Sequence, residues 1–146
     1  MKLRIAWIGK TKEAAIQTLG SEYLKLISRY NACDGTEFSS EAALLKTVEQ
    51  KGRTAPVLVL MDSRGKQLSS EEIAEFIRGH LDRGTQELVF AIGPSDGWSE
   101  STTARATARL SMGKMTLPHE LARVVLLEQI YRAFTILNGH PYHGGH

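Results

Sequence analysis

PVLVLMD, residues 56–62, is an unbroken apolar run of strand length that ends in an aspartate and a D-S-R-G turn. It reads as a buried strand, and what lies on either side decides the fold. Downstream, Ser69-Ser70-Glu71-Glu72 has the form of a helix N-cap with acidic first-turn residues, and predicts a helix to about Leu81. ELVFAIG, residues 87–93, is the next buried strand and opens into the loop G-P-S-D-G, residues 93–97. A polar helix follows, then the strand-like RLSMGKMT. PHELARVVLLEQIYRAFTILNG is a long helix with Pro118 in its first turn and Asn138-Gly139, backed by Pro141, as its stop.

Upstream, LRIAWI, residues 3–8, is a short buried strand closed by Gly9. Thr11 is placed to cap a helix along which Ala15, Ile16, Leu19, Tyr23, Leu24, Ile27 and Tyr30 recur at helical spacing. NACDGTEFSS is rich in turn formers, Asp34-Gly35 above all, with a short strand at Thr36–Phe38. Ser40 begins a second helix through Ala42, Leu44, Leu45 and Val48. Strands alternate with helices throughout, so the expected class is α/β with a mainly parallel sheet. With no internal repeat or linker, residues 1–146 read as a single domain.

Composition narrows the function classes. No apolar run approaches the roughly 18 residues of a membrane span, and MKLRIAWIGK lacks the features of a signal peptide. A cytoplasmic protein is expected. The single cysteine, Cys33, excludes an internal disulfide and any multi-cysteine metal site. Lys and Arg total 18 against 16 Asp and Glu, which permits an RNA partner without arguing for one.

Ligands of open α/β sheets bind beyond the carboxyl ends of the strands. Those ends carry Met61–Gly65, Gly93–Gly97 and Gly113–His119, three segments that together suggest a pocket, although none has standard phosphate-cradle spacing. Asp62 and Asp96 are routine turn formers before they are an acid–base or magnesium pair, and Ser95 and Ser99 lie in no G-x-S-x-G elbow. His119 follows a proline at a helix start and has local backbone groups to face. Glu128 and Arg132 have the spacing of a surface ion pair, and Met112 and Met115 read most simply as core fillers. The tail, NGHPYHGGH, holds three of the five histidines. It can be read as a metal claw, a cloning remnant, a frayed end or part of an active site. Its spacing, with no nearby acid or cysteine, is poor for zinc, so no metal is expected.

Taken in order, MKLRIAWIGK, VLVLMDSRGK, FAIGPSDGWS, LSMGKMTLPHELARVVLLEQIYRAFTILNG and the terminal HPYH resemble the RlmH (YbeA-type) family of SPOUT methyltransferases. The most specific parts are TLPH at 116–119, the RV...E.IYRA run of the following helix, and HPYH at 140–143. The resemblance covers nearly the whole chain and is weakest between residues 31 and 55. It implies a SPOUT-type mainly parallel sheet with helices on both faces and a C-terminal trefoil knot, an exception to the usual rules of connection. It also implies a homodimer that uses S-adenosyl-L-methionine to methylate N3 of a pseudouridine in 23S ribosomal RNA, within the large subunit or the whole ribosome. The helix 119–138 would be partly an interface helix.

By the same resemblance, cofactor contacts fall on Met61 and Asp62, on Gly93 and Pro94, and on Gly113, Lys114, Met115, Thr116, Leu117 and Pro118. The catalytic candidates are His143 to accept the N3 proton, Tyr142 to stack on or hydrogen-bond the base, and Arg132 to hold phosphate or developing charge. HPYH is expected to close over the cofactor mouth or toward the partner subunit. Two positions depart from the family pattern: Pro94 replaces the second glycine of IGG, and Gly113 stands where serine is common. Pro94 keeps open a non-catalytic knotted RNA- or nucleotide-binding protein. An ordinary flavodoxin-like cofactor binder is a third possibility.

Overall fold

The computed structural model of the protein describes residues 1–50 and 52–144, with backbone alone for His143 and Gly144. Five strands, β1 (Lys2–Ile8), β2 (Cys33–Phe38), β3 (Val57–Gln67), β4 (Glu87–Ile92) and β5 (Ala108–Ser111), form one sheet in the order β2-β1-β4-β3-β5. Every pairing is parallel. The helices are α1 (Ala14–Ser28), α2 (Glu41–Val48), α3 (Ser70–Asp82), α4 (Glu100–Arg105) and α5 (His119–Leu137), followed by a 3₁₀ turn over Pro141–Gly144.

Both sheet faces are covered, which is why the inner strands are apolar without alternation. On one face Leu3, Ile5, Val59, Leu88 and Phe90 pack against α1, α3 and α5. On the other Ala6, Leu58, Leu60, Val89 and Ala91 pack against α2 and Trp98. The apolar breadth of α5 is used within the chain, where it packs against both α1 and α3. Its end is a Schellman motif: the Gly139 and His140 N–H groups donate to the Ile136 and Thr135 carbonyls, at 3.3 and 2.9 Å, and Gly139 has φ +69°.

Four local readings change. Asp34-Gly35 lies inside strand β2, not in a turn. A Cβ at Gly35 would sit 2.8 Å from Leu24 and 2.9 Å from Trp7, so the glycine accommodates packing from β1 and α1. The D-S-R-G turn after Met61 is a bulge within β3, because pairing to β5 resumes at Lys66 opposite Leu110. A Cβ at Gly65 would lie 2.7 Å from the Arg109 and Leu110 backbone, so only glycine allows that approach. RLSMGKMT yields a strand only to Ser111, since Gly113, at φ +125°, turns the chain away. Finally, Thr11 does not cap α1. Glu120, from the first turn of α5, accepts the Lys12 and Glu13 N–H groups instead, at 2.9 and 3.1 Å.

The helix starts at Ser40 and Ser69 are as expected. The Ser40 hydroxyl accepts from the Ala43 N–H, and Ser69 and Glu72 form a full capping box. Among the described residues, no helix is long and apolar enough to cross a membrane.

Candidate active site

Parallel strands send their carboxyl-end loops to one edge, and there the β3 bulge and the ends of β4 and β5 enclose a cleft of about 600 Å³. That volume lies in the usual range for small-molecule and cofactor sites. Met61, Asp62, Gly93, Pro94, Gly113, Met115, Thr116, Leu117 and Pro118, all expected at the site, line it together. Lys114 alone of the expected set does not. His119 and Ala122 of α5 close the far side.

Trp98 is the wall residue that sequence reasoning missed. Its indole Nε1 donates to the Met61 carbonyl at 3.0 Å, tying the loop after β4 to β3 at the start of its bulge. A Cβ at Gly93 would fall 2.7 Å from Trp98 Cε2. Gly93 is therefore required first by the indole, which leaves the strand end open to the cleft. An aromatic among glycine, proline and serine was the available signal. In the loop that follows Gly93, the Gly97 N–H donates to the Pro94 carbonyl at 2.9 Å. Residue 94 thus offers a ligand no N–H and a carbonyl already half used.

The β5–α5 loop is anchored at one end, where the buried Ser111 hydroxyl accepts the Gly113 N–H at 3.1 Å. Beyond it, among the described residues, the N–H groups of Met115, Thr116 and Leu117 make no hydrogen bond within the protein. Met115 is 85% exposed and Met112 37%, so neither is a core filler: both follow the course of a loop that leaves the sheet. Asp62 is shielded at the cleft wall, where its carboxylate accepts the Arg64 N–H at 3.0 Å and faces Arg109 at 3.4 Å. Asp96 does not line the cleft, so the two aspartates form no pair there.

The tail docks elsewhere. Tyr142 donates its hydroxyl to Glu128 Oε2 at 2.6 Å and packs on Tyr131, with ring centroids 4.8 Å apart. Arg132 Nη2 meets the same carboxylate oxygen at 2.8 Å, and the guanidinium carbon lies 5.0 Å from the Tyr142 ring centroid. The expected surface pair Glu128–Arg132 is thus half-buried and clasps the tail. Loss of water and the bond to anionic Glu128 push the Tyr142 phenol well above the usual tyrosine range, so it stays a donor. Hydrogen bonding to Glu128 likewise raises Arg132. Tyr142 and Arg132 are brought together, whereas the His143 side chain and His146 lie outside the described residues. From His119 at the cleft to Arg132 the helix rises about 20 Å, at about 1.5 Å per residue. Within one chain the described residues of the tail therefore lie along α5 and not over the cofactor mouth.

The chain matches, over residues 1–143, a family model described as "Predicted SPOUT methyltransferase". It is 70% identical over 146 residues, all of both chains, to the Ribosomal RNA large subunit methyltransferase H of Koribacter versatilis (strain Ellin345). It is 42% identical over 156 residues to the protein of that name from Geotalea daltonii, covering 98% of this chain and 99% of the relative. Two solved structures share the fold. A probable methylase family protein from Haemophilus influenzae Rd KW20 has a TM-score of 0.58 at 14% identity, over 96% of this chain and 69% of that one. The SpoU methyltransferase AviRb from Streptomyces viridochromogenes, solved with the cofactor AdoMet, has a TM-score of 0.53 at 16% identity, over 90% and 57%. The match of family model and full-length relatives to a parallel sheet with a strand-end cleft establishes that the chain belongs to the SPOUT methyltransferase family.

Proposed function

We propose that this protein transfers a methyl group from S-adenosyl-L-methionine to N3 of a pseudouridine in 23S ribosomal RNA, in the cytoplasm and as a homodimer. One observation carries the reading: the β3 bulge and the glycine-bearing ends of β4 and β5 converge on a single cleft, in a chain 70% identical end to end to a relative named for this class of activity. The cofactor supplies a methyl group made electrophilic by a sulfonium. The cleft suits such a ligand. Met61, Ile92, Trp98 and Leu117 give apolar walls for a flat base, and the unpaired N–H groups of Met115 to Leu117 give donors for its acceptor edge.

The protein's remaining task is alignment of N3 with the methyl group, and removal of the N3 proton. We assign the proton to His143. The Tyr142 phenol, held protonated, is a donor or stacking surface for the base. The Arg132 guanidinium, fixed by Glu128 and the Tyr142 ring, holds a phosphate or the negative charge that develops on the base. A tail about 20 Å along α5 from the cleft serves the cleft of a second copy. Met112, Met115 and Leu121, apolar and exposed beside the cleft, supply a surface for that copy to cover. The passage from β4 across β3 to edge strand β5, with α5 returning beneath the sheet, accords with the family's trefoil knot.

Pro94 favours one other reading, a non-catalytic knotted RNA- or nucleotide-binding protein, because it deletes an N–H donor at the cleft. Calorimetric titration with S-adenosylmethionine separates the two, and no binding at millimolar cofactor removes the transferase reading. The direct test is methyl transfer to undermethylated large subunits and whole ribosomes, with the product mapped to N3. His143→Ala and a truncation after Gly139 should both lose activity; full activity in both excludes the tail from the site.

A further inference from the structure

The β1–α1 loop, residues 9–13, leaves the same sheet edge as the cleft without lining it. Three elements hold its backbone. Arg123, buried in α5, donates to the Ile8 and Gly9 carbonyls, both at 3.2 Å, and to the Thr11 hydroxyl at 2.6 Å. Glu120 accepts the Lys12 and Glu13 N–H groups, and Glu37 of β2 accepts the Thr11 N–H at 3.2 Å. The Gln17 amide of α1 donates to the Thr11 carbonyl at 3.2 Å. Arg123 and Glu120 alternate along α5 with the cleft residues His119 and Ala122, so loop and cleft share one support.

On this fixed backbone Lys10 and Lys12 are exposed. Among the described residues, no carboxylate pairs with either ammonium group. The carboxylates of Glu37 and Glu120 are already engaged with backbone N–H groups. Those same bonds occupy the Thr11, Lys12 and Glu13 N–H groups, so none of these three is left for a small anion. What remains is two point charges on long stems, at a set position beside a cleft, which is chemistry for an extended polyanion.

We propose that Lys10 and Lys12 form a ledge that contacts the phosphodiester backbone of the RNA beside the target nucleotide, positioning it without reading its sequence. The inference rests on the RNA methyltransferase reading above. Its test measures binding to undermethylated large ribosomal subunits across a salt series, for wild type, K10A/K12A, K10R/K12R and K46A. Lys46 is exposed on α2, against the opposite sheet face. In K10A/K12A the slope of log Kd against log salt should fall by about 2, one for each phosphate that the variant leaves unneutralised. K10R/K12R and K46A should keep the wild-type slope, and all four proteins should bind S-adenosylmethionine equally. An unchanged slope in K10A/K12A overturns the ledge, as does an equal fall in K46A. Loss of cofactor binding in K10A/K12A also overturns it, by making the loop part of the cleft. If wild type binds cofactor but not subunits, the RNA reading falls and takes the ledge with it.

Discussion

Replacing Gly93 with alanine tests whether Trp98 shapes the cleft. The new Cβ would lie 2.7, 3.0 and 3.1 Å from three atoms of the indole, several tenths of an ångström inside normal contact. The indole has little room to retreat, since it is 8% exposed and tethered through Nε1 to the Met61 carbonyl. Overpacking of this kind costs about 1–3 kcal/mol. A midrange cost of about 2 kcal/mol corresponds to a fall in Tm of about 6 °C for a chain of this size. Urea unfolding at one fixed protein concentration measures it. The same substitution in a Trp98→Leu background should cost less than about 0.5 kcal/mol, leaving a coupling of about 1.5 kcal/mol between the two sites. Equal costs in both backgrounds would refute the role given to the indole. So would a cost below about 0.5 kcal/mol in the wild-type background, which is the scale of an ordinary surface change.

Three further outcomes are expected. Burial, and then the bond to and charge of Glu128, raise the folded Tyr142 phenol, so the docked tail keeps its full stability below about pH 10 and loses it as pH rises through the folded value. A phenolate titration should show a late-ionising tyrosine that is absent in Tyr142→Phe and moved down in Glu128→Gln. The Glu13 N–H first, and Lys12 with it, hold the Glu120 carboxyl below its usual range. The loop therefore loosens as pH falls through that lowered value, and Glu120→Ala should speed amide exchange at Lys12 and Glu13 while leaving β4 unchanged. Ser69→Ala removes one half of the capping box and should cost about 1 kcal/mol in urea unfolding.

The parts legible in sequence were those with local causes. VLVLM and LVFAI announce themselves because strands covered on both faces are apolar at every position. Ser40, Ser69 and Asn138-Gly139 mark helix ends through hydrogen bonds a few residues long. The cleft was legible because parallel strands send their loops to one edge. What escaped had non-local causes. Gly35 reads as a turn until Trp7 and Leu24 are seen in the place of its side chain. The backbone just before α1 is held by Glu120, more than a hundred residues away. The docking of the tail on Glu128 depends on where the helix end directs the chain, which no local pattern records.

The chain carries two tryptophans, and they report on different places. Trp98 is a wall of the cleft. Trp7 lies beneath Arg123, whose guanidinium carbon is 5.5 Å from its ring centroid and whose other contacts hold the loop that bears Lys10 and Lys12. Fluorescence of the unlabelled protein therefore has two channels. With Trp7 replaced by phenylalanine, emission follows what enters the cleft; with Trp98 replaced, it follows strain reaching the loop. The order in which cofactor and RNA engage becomes a stopped-flow measurement that needs no added dye.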